Sequence, residues 1–105
     1  MIVLMPKSEA EMSGQVIDRV DLAGKAGSIV LYDWMAEEVK DGRNLMRIDA
    51  EGNILWRASP PTRGMQDCFT RMQWDGRALT ANTWSCHRVG IDPENGQVTV
   101  LEFTK

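Results

Sequence analysis

His87 is the only histidine in the chain; Cys86 precedes it directly, and Asp67 and Glu102 lie on either side in the sequence. A thiol, an imidazole and a carboxylate are the parts from which a nucleophile with its base, or a metal site, is made. Their order works against both. Neighbouring strand residues point to opposite faces, so Cys86 and His87 do not cooperate unless a bulge intervenes. Pairing of the last two strands sets His87 across from Glu102, and a solvent-side cross-strand pair is the expected role. No catalytic residue is assigned.

The remaining chemistry-bearing types also have a structural reading. Asp33, Asp49 and Asp92 fall at strand ends, where a carboxylate accepts backbone hydrogen bonds from the following turn. No two carboxylates are spaced as a hydrolase pair, and GxSxG, HExxH, phosphate-loop and calcium-loop patterns do not occur. Cys68 and Cys86 are far apart with no CxxC, which gives no framework for zinc or redox chemistry. No metal and no cofactor are expected.

Four tryptophans, at 34, 56, 74 and 84, are first of all large packing units for a small core. Trp56 is expected inside. Trp34 and Trp84 close corresponding strands near loops, and with Asp33 and His87 they outline a candidate pocket. The connection "ASPPTRGMQD" is stiffened by Pro60 and Pro61 and presents Arg63 and Met65, residue types favoured at interface centres. Arg63 and Met65 are the candidate partner-binding residues.

Composition narrows the partners. With 12 Lys and Arg against 15 Asp and Glu in 105 residues, the net charge is −3 and no basic stripe forms, so nucleic acid is not expected. The opening "MIVLMPKSEAE" has five apolar residues before Pro6, too few for a signal-peptide core or a membrane span. A cytoplasmic protein with reduced thiols and no membrane contact is the expectation.

Positioning these residues requires strands. In "NLMRIDAEGNILWRA", a three-residue loop at Ala50-Glu51-Gly52, with Gly52 left-handed, sets Ile48 against Ile54 and Met46 against Trp56, all four on one face. The later "HRVGIDPENGQVTVLEF" uses a longer turn, pairing Asp92 with Gln97, Ile91 with Val98 and Val89 with Val100. Between them Asp75-Gly76 marks a hairpin that pairs Met72 with Leu79, Trp74 with Arg77 and Cys68 with Thr83. "GQVIDRVDLAG" and "SIVLYDW" form a further strand pair. Only "KSEAEM" and the insertion around "MAEEVK" have room for a helical turn.

Residues 15 to 58 and 67 to 103 thus read as two copies of a four-stranded unit within one domain, 1 to 105. Each copy resembles a blade of the quinoprotein-type β-propeller: a strand ending in Ile-Asp turns through Gly and leaves on a strand carrying an aromatic, as Ile48, Asp49, Gly52 and Trp56 do. The resemblance implies architecture only. Two units are too few to close a propeller, so the cofactor chemistry of quinoproteins is not carried over.

The expected fold is therefore all-β, two four-stranded antiparallel meanders packed as a sandwich or curled into an open barrel, with the strand at residues 2–5 covering an edge. The expected function is a non-enzymatic binding protein acting through contacts with a protein partner or a second copy, as an accessory, inhibitor or immunity-type module. The alternative is a small enzyme or small-molecule binder with its site between the sheets.

Overall fold

In the computed structural model, which describes residues 7–62 and 67–103, eight strands follow one another in two antiparallel meanders. The first sheet holds β1 (Val16–Asp21), β2 (Ser28–Tyr32), β3 (Leu45–Ile48) and β4 (Ile54–Arg57) in that order. The second holds β5 (Phe69–Trp74), β6 (Leu79–Thr83), β7 (His87–Ile91) and β8 (Val98–Phe103). The fold is all-β, and the sheets do not close into a barrel. The expected edge strand at residues 2–5 and the candidate partner residues Arg63 and Met65 lie outside the described residues.

Side-chain alternation explains how the sheets meet. Ile29, Leu31 and Leu45 point one way from the first sheet and join Phe69, Met72, Leu79, Ala81, Val89 and Ile91 of the second in one buried cluster. Val30, Tyr32, Met46 and Ile48 point the other way and form a second cluster with Val39, backed by Met12, Ala36 and Ile54. The inner strand β2 is therefore buried on both faces. This is why Ile29 to Tyr32 form an unbroken apolar run, with every residue of β2 buried.

The covering layer comes from two short segments. A 3₁₀ turn at Glu9–Glu11 follows a bridge between Ser8 and Asn53, and a second at Glu37–Val39 lies in the insertion between β2 and β3. Ser13 joins the two by donating to the Glu38 carboxylate from its hydroxyl and from its backbone N–H.

Two polar clamps hold the sheets together. Asn44, fully buried, donates through Nδ2 to the carbonyls of Tyr32 and Phe69 and accepts the Phe69 N–H at Oδ1, each within 2.9 Å. Elsewhere on the first sheet, Trp56 Nε1 and the Arg47 guanidinium both donate to the Pro93 carbonyl at 2.8 Å. The turns at Gly52 and Gly96 that echo each other in sequence belong to β3–β4 and β7–β8, and the second of these packs on Trp56.

Turn positions agree with the sequence expectations, and several registers do not. Ile48 pairs with Ile54, but Leu55 is then an extra residue in β4, so Trp56 faces Arg47 and Met46 faces Arg57. The bulge turns Trp56 into the inter-sheet core, away from Ile48, Ile54 and Met46. Around Asp75-Gly76 the loop is longer than expected, because Asp75 Oδ1 accepts N–H groups from both Arg77 and Ala78. Trp74 consequently pairs with Leu79, Met72 with Ala81, and Phe69 rather than Cys68 with Thr83. In β8, Ile91 and Val89 pair as expected, after which the extra residue Leu101 brings Phe103 opposite His87 and Glu102 opposite Arg88.

Candidate functional site

At one side of the molecule, the chain leaving β2 and the chain leaving β6 run alongside each other. Each begins with a tryptophan, Trp34 after β2 and Trp84 after β6, and the insertion folds back beside them. Asp33 starts this insertion by accepting the Met35 N–H at 2.8 Å on its carboxylate, while its carbonyl accepts the Ala36 N–H. Arg57 anchors the insertion from below, with a side chain 5% exposed that donates to the carbonyls of Glu38 and Arg43 and to the Asp41 carboxylate. Burial pulls the Arg57 guanidinium down from its usual value, and the carboxylate of Asp41 opposes that change.

The result is a cleft of about 470 Å³ lined by Trp34, Met35, Val39, Lys40, Gly42, Asp67, Cys68 and Trp84. Its rim is apolar and open: Trp34 is 38% exposed, Met35 75% and Trp84 66%. Lys40 is tied to Glu37 by an ion pair of 2.8 Å.

Asp67 is buried at the floor and bonded on every side. Its Oδ1 accepts the N–H groups of Cys68 and Ser85 at 3.0 Å; its Oδ2 accepts the hydroxyls of Thr62 at 2.6 Å and Ser85 at 2.7 Å. Burial pushes this carboxyl up, but the bonds from Thr62, Ser85 and Cys68 together outweigh burial and hold it below the ordinary carboxylate value. Beside it the Cys68 thiol is pushed up, first by burial and then by the charges of Asp67 and Asp33. Cys68 is a buried neutral thiol, Cys86 is exposed, and neither is in a disulfide.

Behind Asp67 the hydrogen bonds continue to His87, whose Nδ1 lies 2.9 Å from Ser85 Oγ. Serine, histidine and aspartate thus meet, but they are wired differently from a hydrolytic triad. In a triad the imidazole stands between hydroxyl and carboxylate and removes the hydroxyl proton. Here Ser85 donates its hydroxyl to the Asp67 carboxylate at 2.7 Å, and its oxygen also lies 2.9 Å from Thr83 Oγ1, so the serine proton faces a carboxylate and not the imidazole. His87 is also not the solvent-side partner of Glu102. It is half-buried with its ring 5.1 Å from that of Phe103, while Glu102 pairs with Arg88 at 3.7 Å.

The sequence-derived pocket is therefore divided. Trp34 and Trp84 line the cleft; Asp33 stands behind it; His87 is reached only through Ser85 and Asp67. Asp67 is the principal residue that sequence reasoning left without a role, and the signal was weak: an acid next to an apolar strand start. Cys86 is the other surprise. Its φ of +66° lets the β6–β7 turn close within four residues, so that Ser85 reaches both Asp67 and His87. Among the described residues there is no cluster of three or more His, Cys, Asp or Glu side chains arranged to hold a metal ion. Nor is any helix there long and apolar enough to cross a membrane.

Fold and site together define a small two-sheet β domain with an aromatic-rimmed cleft at one side. Residues 7–103 match the family described as a domain of unknown function (DUF7957), and the chain belongs to that family. No curated protein and no solved structure matches the chain.

Proposed function

We propose that this domain is a non-enzymatic binding module working through protein contacts, as an accessory, inhibitor or immunity-type domain, with the cleft rim as its docking surface. The observation that carries this reading is the rim itself: Trp34, Met35 and Trp84 stand exposed around a single concavity instead of joining either core cluster. Tryptophan and methionine are enriched at interface centres, and a few aromatic anchors seated in pockets supply most of the energy of such contacts. The wiring of Asp67, Ser85 and His87 supports a binding role over hydrolysis, because the serine proton is committed to a carboxylate.

Arg63 and Met65 remain part of the proposal, since their segment rejoins the described chain at Asp67, on the cleft floor. A reducing, cytoplasmic setting fits the exposed Cys86, which is in no disulfide. The likeness of each half to a propeller blade is retained as a proposal about architecture, supported by the same sequential strand order in both sheets.

The test is capture of partners from the native host by wild type, Trp84→Ser and Leu55→Ser, the last removing an equally available apolar side chain away from the cleft. A partner retained by Leu55→Ser and lost by Trp84→Ser is expected. Equal capture by all three overturns the docking surface.

A further inference from the structure

We propose that the cleft between Trp34 and Trp84 binds a quaternary ammonium group. This deepens the docking reading and rests on it for the source of the group, which a partner would present as a trimethylated lysine side chain; the cleft chemistry itself applies equally to a free cation.

Three features of the cleft select this chemistry. First, its field is negative at the floor. Asp67 lines the cleft as a carboxylate held in the ionised form by four hydrogen bonds, and Asp33 lies close enough behind for its charge to act on Cys68. The one cation among the described lining residues, Lys40, pairs with Glu37 at 2.8 Å. An anion is disfavoured here.

Second, the walls are aromatic and separate. The two indoles line the same cleft, are both partly exposed and, among the described residues, make no ring contact with each other. Indole is the strongest of the side-chain π-faces for a cation, and Met35 adds a polarizable edge.

Third, the one carboxylate among the described lining residues has its acceptors in use. Both oxygens of Asp67 are doubly occupied, the Cys68 carbonyl accepts the Trp84 N–H at 2.9 Å, and the Val39 carbonyl accepts the Gly42 N–H at 2.9 Å. A primary ammonium or a guanidinium set against Asp67 would give up bonds to water and find both carboxylate oxygens already doubly occupied. A quaternary ammonium has no N–H to satisfy. A negative field, indole walls and a carboxylate that is already satisfied therefore discriminate in its favour, which is the negative half of specificity.

The experiment is a titration at low ionic strength with tetramethylammonium chloride, followed through the indole N–H resonances of Trp34 and Trp84, with ammonium and guanidinium chloride as matched controls. Saturable shifts of both indoles with tetramethylammonium alone are expected. Trp34→Leu and Trp84→Leu should each weaken binding roughly ten-fold. Lys40→Ala removes the like charge from the lining and frees Glu37, so it should bind several-fold more tightly, a gain that misfolding cannot imitate. Equal responses to the three cations, no saturable shift, or an unaltered affinity in Trp84→Leu overturns the inference.

A peptide carrying trimethyl-lysine, compared with its unmethylated form and with choline, separates the sources. Preference for the methylated peptide over choline upholds a side-chain guest, and parity upholds a free one. Tetramethylammonium binding with Trp84-independent capture overturns the docking surface alone. Trp84-dependent capture with no cation binding overturns this inference alone.

Discussion

The Asn44 amide satisfies three backbone groups at once, the carbonyls of Tyr32 and Phe69 and the Phe69 N–H, in a place that is fully buried. Removing it strands all three, so Asn44→Ala should destabilise the fold by about 3 kcal/mol, read from denaturant midpoints. Asp67 acts by charge as well as by geometry. Its carboxyl lies lower in the folded chain than in the unfolded one, so its contribution is complete above the ordinary carboxylate value of about 4 and drains as pH falls through the lower folded value. The stability gap between wild type and Asp67→Asn should accordingly be widest near neutral pH and shrink in acid. A gap independent of pH would show that the carboxylate charge is immaterial. Neither residue announces itself in sequence, because both depend on partners far along the chain: Asn44 reaches Phe69, and Asp67 reaches Ser85. The aromatic rim was only partly legible: Trp34 and Trp84 end corresponding strands near loops, but core packing is the favoured role for tryptophans in a small domain, and both instead stand exposed.

Elements were legible where their chemistry is local. The turns at Gly52 and Gly96 follow from Asp-Ala-Glu-Gly and Asp-Pro-Glu-Asn-Gly, and both glycines have positive φ, +90° and +78°. What separates them is packing. A Cβ on Gly52 meets nothing, whereas one on Gly96 would lie 2.7 Å from the Trp56 ring. Gly52→Ala should therefore cost about 1 kcal/mol from backbone strain alone. Gly96→Ala should cost clearly more, because Trp56 must move and its bond to the Pro93 carbonyl with it. Equal thermal midpoints for the two variants would refute that docking. Registers were less legible than turns. Each of the four edge strands carries one extra residue, Ile17 in β1, Leu55 in β4, Thr70 in β5 and Leu101 in β8. A bulge reverses alternation beyond it, and an apolar residue that it expels looks in sequence like a core residue. Ile17, Leu55 and Leu101 are all exposed for that reason. Bulged edges also pair poorly with other strands.

At the scale of the molecule, the two four-stranded units are not two domains. Each inner face completes the other, since one buried cluster takes residues from both sheets, and the second sheet has no buried cluster of its own among the described residues. The joints are polar as well: Asn44 holds the start of β5, and Trp56 with Arg47 holds the β7–β8 turn through Pro93. Loss of either sheet would expose the apolar face of its partner and leave buried donors unpaired, so neither is expected to persist without the other. Unfolding should then be a single cooperative transition, with tryptophan fluorescence, near-ultraviolet and far-ultraviolet circular dichroism giving coincident curves in denaturant. Trp56→Phe keeps an aromatic ring in the core but deletes the Nε1 bond to Pro93, and should lower the midpoint while leaving the transition single. Two separated transitions, in wild type or in Trp56→Phe, would mean that the repeats fold independently and that the shared core contributes little to holding them together.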